Sequence, residues 1–372
     1  MLYPQSQEPL QEKDFLNPSS EYRAAPFWAW NTTLKKEELC WQIDQLKKMG
    51  FGGFHIHVRT GMDTEYLSED FMSLIGGCLQ KARENHMLAW LYDEDRWPSG
   101  AAGGLVTQQK EYRQRYLLLT RHPAECGNLI ACYDVELEKS GDLKRYSRIC
   151  EMDPASAIKL YVYEETARTS PWFNNQTYIN TLDPKAVKEF IRITHERYKK
   201  HFSTYFGSLI PAIFTDEPQF SRKGVLDYAH DDKDVTLPWT DDFPESYCSA
   251  FGGEDILQGL PELLWDLPNG QVSRIRYHYH DHLAERFASA FADQCGSWCR
   301  KNGLLLTGHL MEEPTLESQT HALGEAMRSY RSFQLPGIDM LCDRREFTTA
   351  KQAQSAARQY GRPGVLSELY GV

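Results

Sequence analysis

The chain has 372 residues, with 41 Lys and Arg against 52 Asp and Glu, a formal net charge of −11, and 41% hydrophobic residues. This is a globular composition with ample material for a core, and it fits neither a disordered nor a collagenous chain. The acidic balance excludes a general phosphate-backbone binder, which needs clustered Lys and Arg, so no nucleic-acid partner is expected. The first eight residues carry no basic start or apolar stretch, and no run of about 18 apolar residues occurs, so neither export nor a membrane span is expected. Nine scattered cysteines without a Cys-x-x-Cys pattern point to reduced thiols and a cytoplasmic location.

Short β-rich apolar runs alternate with helical periodicity along the chain. The runs are 26–30, 54–58, 88–92, 212–215, 304–307, 338–341 and 365–367. Between them, Leu39, Ile43 and Leu46 keep one helical face after a Thr33 cap, and Phe71, Ile75, Cys78 and Leu79 follow a Ser68 cap. Asp183-Pro184 marks a further helix start, and longer helices are expected near 274–301 and 349–360. Repeated strand-helix units require parallel strands with right-handed crossovers, so the fold class is α/β, a (β/α)8 TIM barrel. Seven strands are predicted before the chain stops, and the barrel is therefore expected to be incomplete, a fragment of a longer protein.

Residues 111–183 break the rhythm with alternating strands at 116–120, 129–137 and 158–163, which predicts a β-rich insertion after strand three. Residues 1–110 and 184–372 are then the catalytic barrel, and 219–270 is expected to be an irregular loop after strand four.

Barrel enzymes carry their chemistry at the C-terminal ends of the strands. Those positions hold Trp28, Trp30 and Asn31; His55 and His57; Asp93, Glu94, Asp95, Arg96 and Trp97; Asp216 and Glu217; His309, Glu312 and Glu313; Asp339 and Asp343; and Glu368 and Tyr370. Carboxylates interleaved with tryptophans suit a sugar, because glycoside cleavage needs one acid and one facing carboxylate, and aromatic rings cover the C–H face of a pyranose. His55 and His57 share a strand face, and with His309 they also allow a metal-dependent hydrolase. A barrel that binds carbohydrate without cleaving it is the third reading. Asp93 and Asp95, two apart, are expected on one face, gripping hydroxyls or a hard cation.

The segments Phe27-Trp-Ala-Trp-Asn31, Gly50-Phe-Gly-Gly-Phe-His-Ile-His57, Leu91-Tyr-Asp-Glu-Asp-Arg-Trp-Pro-Ser-Gly100, Phe214-Thr-Asp-Glu-Pro218 and Leu366-Ser-Glu-Leu-Tyr-Gly371 together resemble the barrel of α-L-rhamnosidase-like glycoside hydrolases, family 106 and its relatives. The resemblance runs from about residue 26 to the end. It implies a glycosidase acting on a terminal deoxy-sugar or uronate-type glycoside, with a calcium ion near the sugar. It also implies that Glu217 is the general acid and Glu368 its partner; an inverting reaction makes Glu368 or Glu312 the base. Asp216 stands where the wider barrel clan has Asn. Trp28, Trp30, Asn31, His55, His57, Asp93, Asp95, Trp97, Asp216, His309 and Tyr370 are expected to line the sugar subsite. Carbohydrate is the expected partner, no cofactor is required by the residues, and nothing in the sequence specifies an oligomeric state.

Overall fold

A computed structural model describes residues 11–125, 127–340 and 346–369. The first eight residues, Cys126, Cys342, Asp343 and Tyr370, on which expectations above rest in part, lie outside them. In chain order come α1 (Glu12–Leu16), β1 (Phe27–Trp30), α2 (Lys36–Lys48), β2 (Gly53–Val58), α3 (Glu69–Glu84) and β3 (Leu88–Tyr92). Then follow β4 (Arg115–Thr120), β5 (Asn128–Leu137), β6 (Leu143–Ile149) and β7 (Ile158–Thr166), with α4 (Pro184–Ile193) and α5 (His195–Phe202) behind them. The remainder is β8 (Ala212–Asp216), β9 (Val235–Trp239), α6 (Phe243–Ala250), α7 (Arg274–Phe287), α8 (Asp293–Lys301), β10 (Leu305–His309), α9 (Leu316–Ala322), α10 (Ala326–Tyr330), β11 (Leu335–Met340), α11 (Phe347–Gln359) and β12 (Leu366–Leu369).

Seven strands form one curled parallel sheet in the order β1-β2-β3-β8-β10-β11-β12, an incomplete TIM-like barrel; among the described residues its outer strands β1 and β12 do not pair. The chain order of these strands is also their spatial order, as successive right-handed crossovers demand. Helices begin where the side chains offer caps. Ser68 Oγ accepts the Phe71 amide at 3.1 Å, and Asp183 accepts the Lys185 amide at 2.8 Å ahead of Pro184. Thr33 does not cap α2. Its hydroxyl donates to Asp63 at 2.6 Å, and the helix starts after Lys35 without a side-chain cap.

Two features of the sheet differ from expectation. β11 begins at Leu335 rather than Ile338, taking in Pro336 and Gly337. The strands pack closely there, since a Cβ on Gly337 would stand 2.3 Å from Gly308 O. The second sheet is antiparallel, in the order β6-β5-β7-β4-β9. Its charged edge strand β6 lies between the strands expected for the insertion, and β9 comes from the segment expected to be irregular. Pro238 within β9 is tolerated because β9 is an edge that pairs only with β4.

Parallel pairing puts registered residues on one face. Phe27↔His55, His55↔Trp90, Tyr92↔Phe214, Thr307↔Phe214, His309↔Asp216 and Asp339↔Glu368 therefore share the concave face. Trp28, Trp30, Phe54, Ile56 and Val58 take the convex face and are buried against Leu39, Ile43 and Phe71 of the helices.

Candidate active site

The concave face carries two layers. The lower one is aromatic: Phe27 lies 4.9 Å from Phe214 and 5.0 Å from His55 by ring centroids, and His55 stacks on Trp90 at 4.9 Å. Above it, at the C-terminal ends of β8, β10, β11 and β12, stand Asp216, Glu217, His309, Asp339 and Glu368.

Gly308 brings the two central strands together. Its φ of 124° suits only glycine, and a Cβ there would meet Thr215 O at 1.8 Å, so no other residue lets β10 approach β8 so closely. That approach sets His309 beside Asp216. His309 Nε2 lies 2.9 Å from Asp216 Oδ1, while the Tyr92 hydroxyl donates to Oδ2 at 2.6 Å and His57 Nε2 stands 4.0 Å from it.

Burial alone would push the Asp216 carboxyl up and the His309 imidazole down. Their mutual contact outweighs burial on both sides: His309 and Tyr92 hold Asp216 below its ordinary value, and Asp216 raises His309 to about 10. His309 is thus a buried cation. Its Nδ1 is 3.6 Å from Glu368 Oε2 and its Nε2 3.9 Å from Asp339 Oδ2. His57 and His55, in contrast, are driven down by burial to about 4 and about 3 and are neutral at pH 7.

Glu217 follows β8 directly, at φ 45°, a left-handed conformation uncommon for a side-chain-bearing residue and held here by its amide donating to His309 O at 3.2 Å. Burial, then the charge of Asp216, raises its carboxyl to about 7. Burial raises Glu368 to about 8, opposed by His309 and reinforced by Asp216, Asp339 and Glu217. Both carboxyls thus hold their protons toward neutrality, and the charge of Glu217 adds to the rise of Glu368. One proton donor and one carboxylate around a fixed cation can perform acid–base or nucleophilic displacement at a C–O bond.

The structure gathers Asp216, Glu217, His309 and Glu368, with His57 at their edge. It places other expected site residues elsewhere. Trp28 and Trp30 point to the helices, and Trp28 Nε1 donates to Gln42 at 2.6 Å, so they form core and not a sugar platform. The strand Phe-Trp-Ala-Trp is aromatic on both faces, and only the register decides which face turns inward. Asn31 is exposed beyond β1, with its carbonyl packed on Gly61. His55 belongs to the aromatic layer, its Nδ1 bonded to Ala25 O at 3.1 Å.

Asp93 and Asp95 follow the end of β3, where their hydrogen-bond partners and not strand alternation set each side chain. Asp93 is fully buried and accepts the Ser99 hydroxyl at 2.6 Å, and burial raises its carboxyl well above normal. Asp95 is held by Arg96 at 2.8 Å and by Asn174 at 3.2 Å. One carboxylate is thus turned to Ser99 and the other is paired to a guanidinium. Glu312 pairs with Arg222 at 2.9 Å on the rim, and Glu313 is the buried member of that pair, accepting from Tyr330 at 2.7 Å and from the Asp339 amide at 3.0 Å.

His55, His57 and His309 do not converge as metal ligands. Among the described residues the group whose ligand atoms come within 4.8 Å of one another is Glu217, His309 and Asp339. Protonated His309, with Nε2–H directed at Asp216, offers a cation no lone pair there.

The Tyr92 hydroxyl is not among the residues expected at the site, although its two-residue spacing to Trp90 puts it on the same face. Glu94, expected at the end of strand three, is buried and accepts the amides of Asp95, Gly100, Ala102 and Gly103, fixing the glycine-rich turn under the site. Trp172, from the insertion, meets Trp97 above the barrel with centroids 5.8 Å apart. The contact between the tryptophans is absent from the sequence expectations, and no local signal foretells it.

No known family pattern matches this sequence, and no curated protein is significantly similar to it. Among solved structures, a rhamnosidase from Novosphingobium sp. PP1Y superposes with a TM-score of 0.65 at 12% identity, over 97% of this chain and 53% of that one. An isomaltulose synthase from Klebsiella sp. LX3 reaches a TM-score of only 0.32 at 8% identity, over 84% of this chain and 48% of that one. This chain therefore spans about half the length of the rhamnosidase it matches and shares its fold.

Proposed function

We propose that this chain carries the barrel of a glycosidase that releases a terminal, α-L-rhamnoside-like sugar from an oligosaccharide or glycoconjugate. Glu217 is the general acid and Glu368 the partner carboxylate. The observation that carries the reading is the pairing of two half-buried carboxyls from β8 and β12, both with raised proton affinity, about the His309 cation. The shared fold with a rhamnosidase supports the choice of sugar class. Glu217 donates its proton to the leaving oxygen. Glu368 faces the anomeric carbon, directly or through water, and His309 steadies its negative charge. As proposed, the reaction draws on no cofactor, and its partner is carbohydrate.

The test is a screen of aryl and disaccharide glycosides, followed by kcat/KM for Glu217→Gln and Glu368→Gln on each accepted substrate. Loss of a positioned acid or base is expected to lower the rate by about 10²–10⁴. If both variants match the wild type on every accepted glycoside, the reading is wrong.

A further inference from the structure

A cavity of about 440 Å³ lies past the C-terminal ends of β3 and β8. Three separate parts of the chain line it: Trp97 after β3, Trp172 and Phe173 from the insertion, and Phe220, Ser221 and Arg222 just past Glu217. Trp172 remains 38% exposed, yet its ring is fixed. Its Nε1–H donates to Trp97 O at 2.7 Å, and the Arg96 guanidinium lies 5.9 Å from its centroid. An exposed indole whose only donor is already engaged by backbone offers a rigid apolar face. Opposite chemistry is also present: Ser221 is 8% exposed, and its Oγ, although buried, has no hydrogen-bond partner among the described residues. A buried hydroxyl without a partner is destabilising unless something fills the cavity and bonds to it.

We propose that this cavity is the subsite for the leaving group and that it takes a second sugar ring, its C–H face on Trp172 and Trp97 and a hydroxyl on Ser221. A plain aryl group would use the indoles and leave Ser221 without a partner, so the combination favours a pyranose. Gln219, two residues past Glu217, belongs to the cavity wall, so the acid would stand next to the second ring. The insertion thereby supplies substrate specificity to the barrel. This inference rests on the glycosidase reading above.

The test compares, on the full chain, kcat/KM for a disaccharide and for the glycosyl fluoride of the same terminal sugar, whose one-atom leaving group cannot reach the cavity. Trp172→Ala should lower the disaccharide-to-fluoride ratio about tenfold, the scale of one lost aromatic contact. Trp172→Phe should restore most of that ratio, and Ser221→Ala should lower it by a smaller factor. A ratio unmoved by Trp172→Ala, or an equal fall on both substrates, overturns the subsite. If the wild-type chain cleaves neither substrate, the glycosidase reading fails separately. Saturation-transfer NMR with free methyl pyranosides then decides the cavity: signal lost in Trp172→Ala supports it, and no signal in the wild type ends it.

Discussion

His309 and Asp216 face each other across the β8–β10 pair, Nε2 to Oδ1 at 2.9 Å, and this contact keeps a buried imidazole charged. Every other group of the cluster is arranged about that cation. Asp216→Asn should return His309 toward neutrality and remove the positive charge beside Glu368. An activity loss of about 10²–10³ is expected, the usual effect of deleting one preorganised electrostatic contact. The check is kcat/KM together with the imidazole NMR titration; a His309 that still titrates near 10 in the variant contradicts this account.

The pH–rate profile should be a narrow bell. Activity needs Glu217 protonated and Glu368 ionised; because Glu368 is raised to about 8 and Glu217 only to about 7, this is the minor singly protonated form, and it is lost below about 7, where both hold protons, and above about 8, where neither does. Glu217→Gln should abolish the limb on the alkaline side while retaining relatively more activity on substrates with good leaving groups. A broad plateau from pH 5 to 9 would count against two carboxyls titrating near neutrality.

Stability should decline on the alkaline side. The folded His309 value of about 10 exceeds the ordinary 6.5, so its contribution is complete below 6.5 and disappears as pH rises through 10. Glu217 and Glu368, raised from 4.5, act in the same direction over lower pH: each favours folding while protonated and loses that contribution as pH rises through about 7 and 8. Asp216, held low, opposes them only at acid pH. Thermal melts should show Tm falling between pH 6.5 and 10, with a shallower slope in Glu368→Gln. A Tm constant over that range would refute the assignment of His309 as a cation.

Glu94→Gln should loosen the turn at 99–104. Four amides point at the Glu94 carboxyl, and an amide side chain would turn donors toward donors, at a cost of about 2–4 kcal/mol. Denaturant unfolding measures the loss, and hydrogen exchange should accelerate first at Gly100, Ala102 and Gly103. Unchanged protection at those amides would show that the carboxyl is dispensable.

Trp30→Ala should behave as a core deletion. The side chain is 1% exposed and packs on Phe71 at 5.7 Å, so a loss of about 3–5 kcal/mol in stability is expected, with no selective loss of sugar binding in whatever folds. A selective rise in KM at normal stability would return Trp30 to the site.

Much of the architecture was legible because it rests on local periodicity. All seven parallel strands lie at the apolar runs, Ser68 and Asp183 cap helices, and Asp216, Glu217, His309 and Glu368 stand at strand ends. What failed was orientation. Phe27-Trp-Ala-Trp30 has large rings on both faces, so alternation could not say which turns inward. The Asp-Glu-Asp-Arg run after β3 lies beyond the strand, where hydrogen bonds to Ser99, the glycine turn and Asn174 decide each carboxylate's direction.

The amino-acid sequence by itself determined the strand-helix alternation, the acidic strand ends and the glycine at 308, because these follow from residue type and spacing along one chain. Only the tertiary structure decided that His309 is charged, that Glu217 and Glu368 share its field, that Glu313 and not Glu312 is buried, and that Trp172 reaches Trp97. Proton affinity depends on what surrounds a group in three dimensions, and contacts between residues 75 apart depend on how two sheets pack.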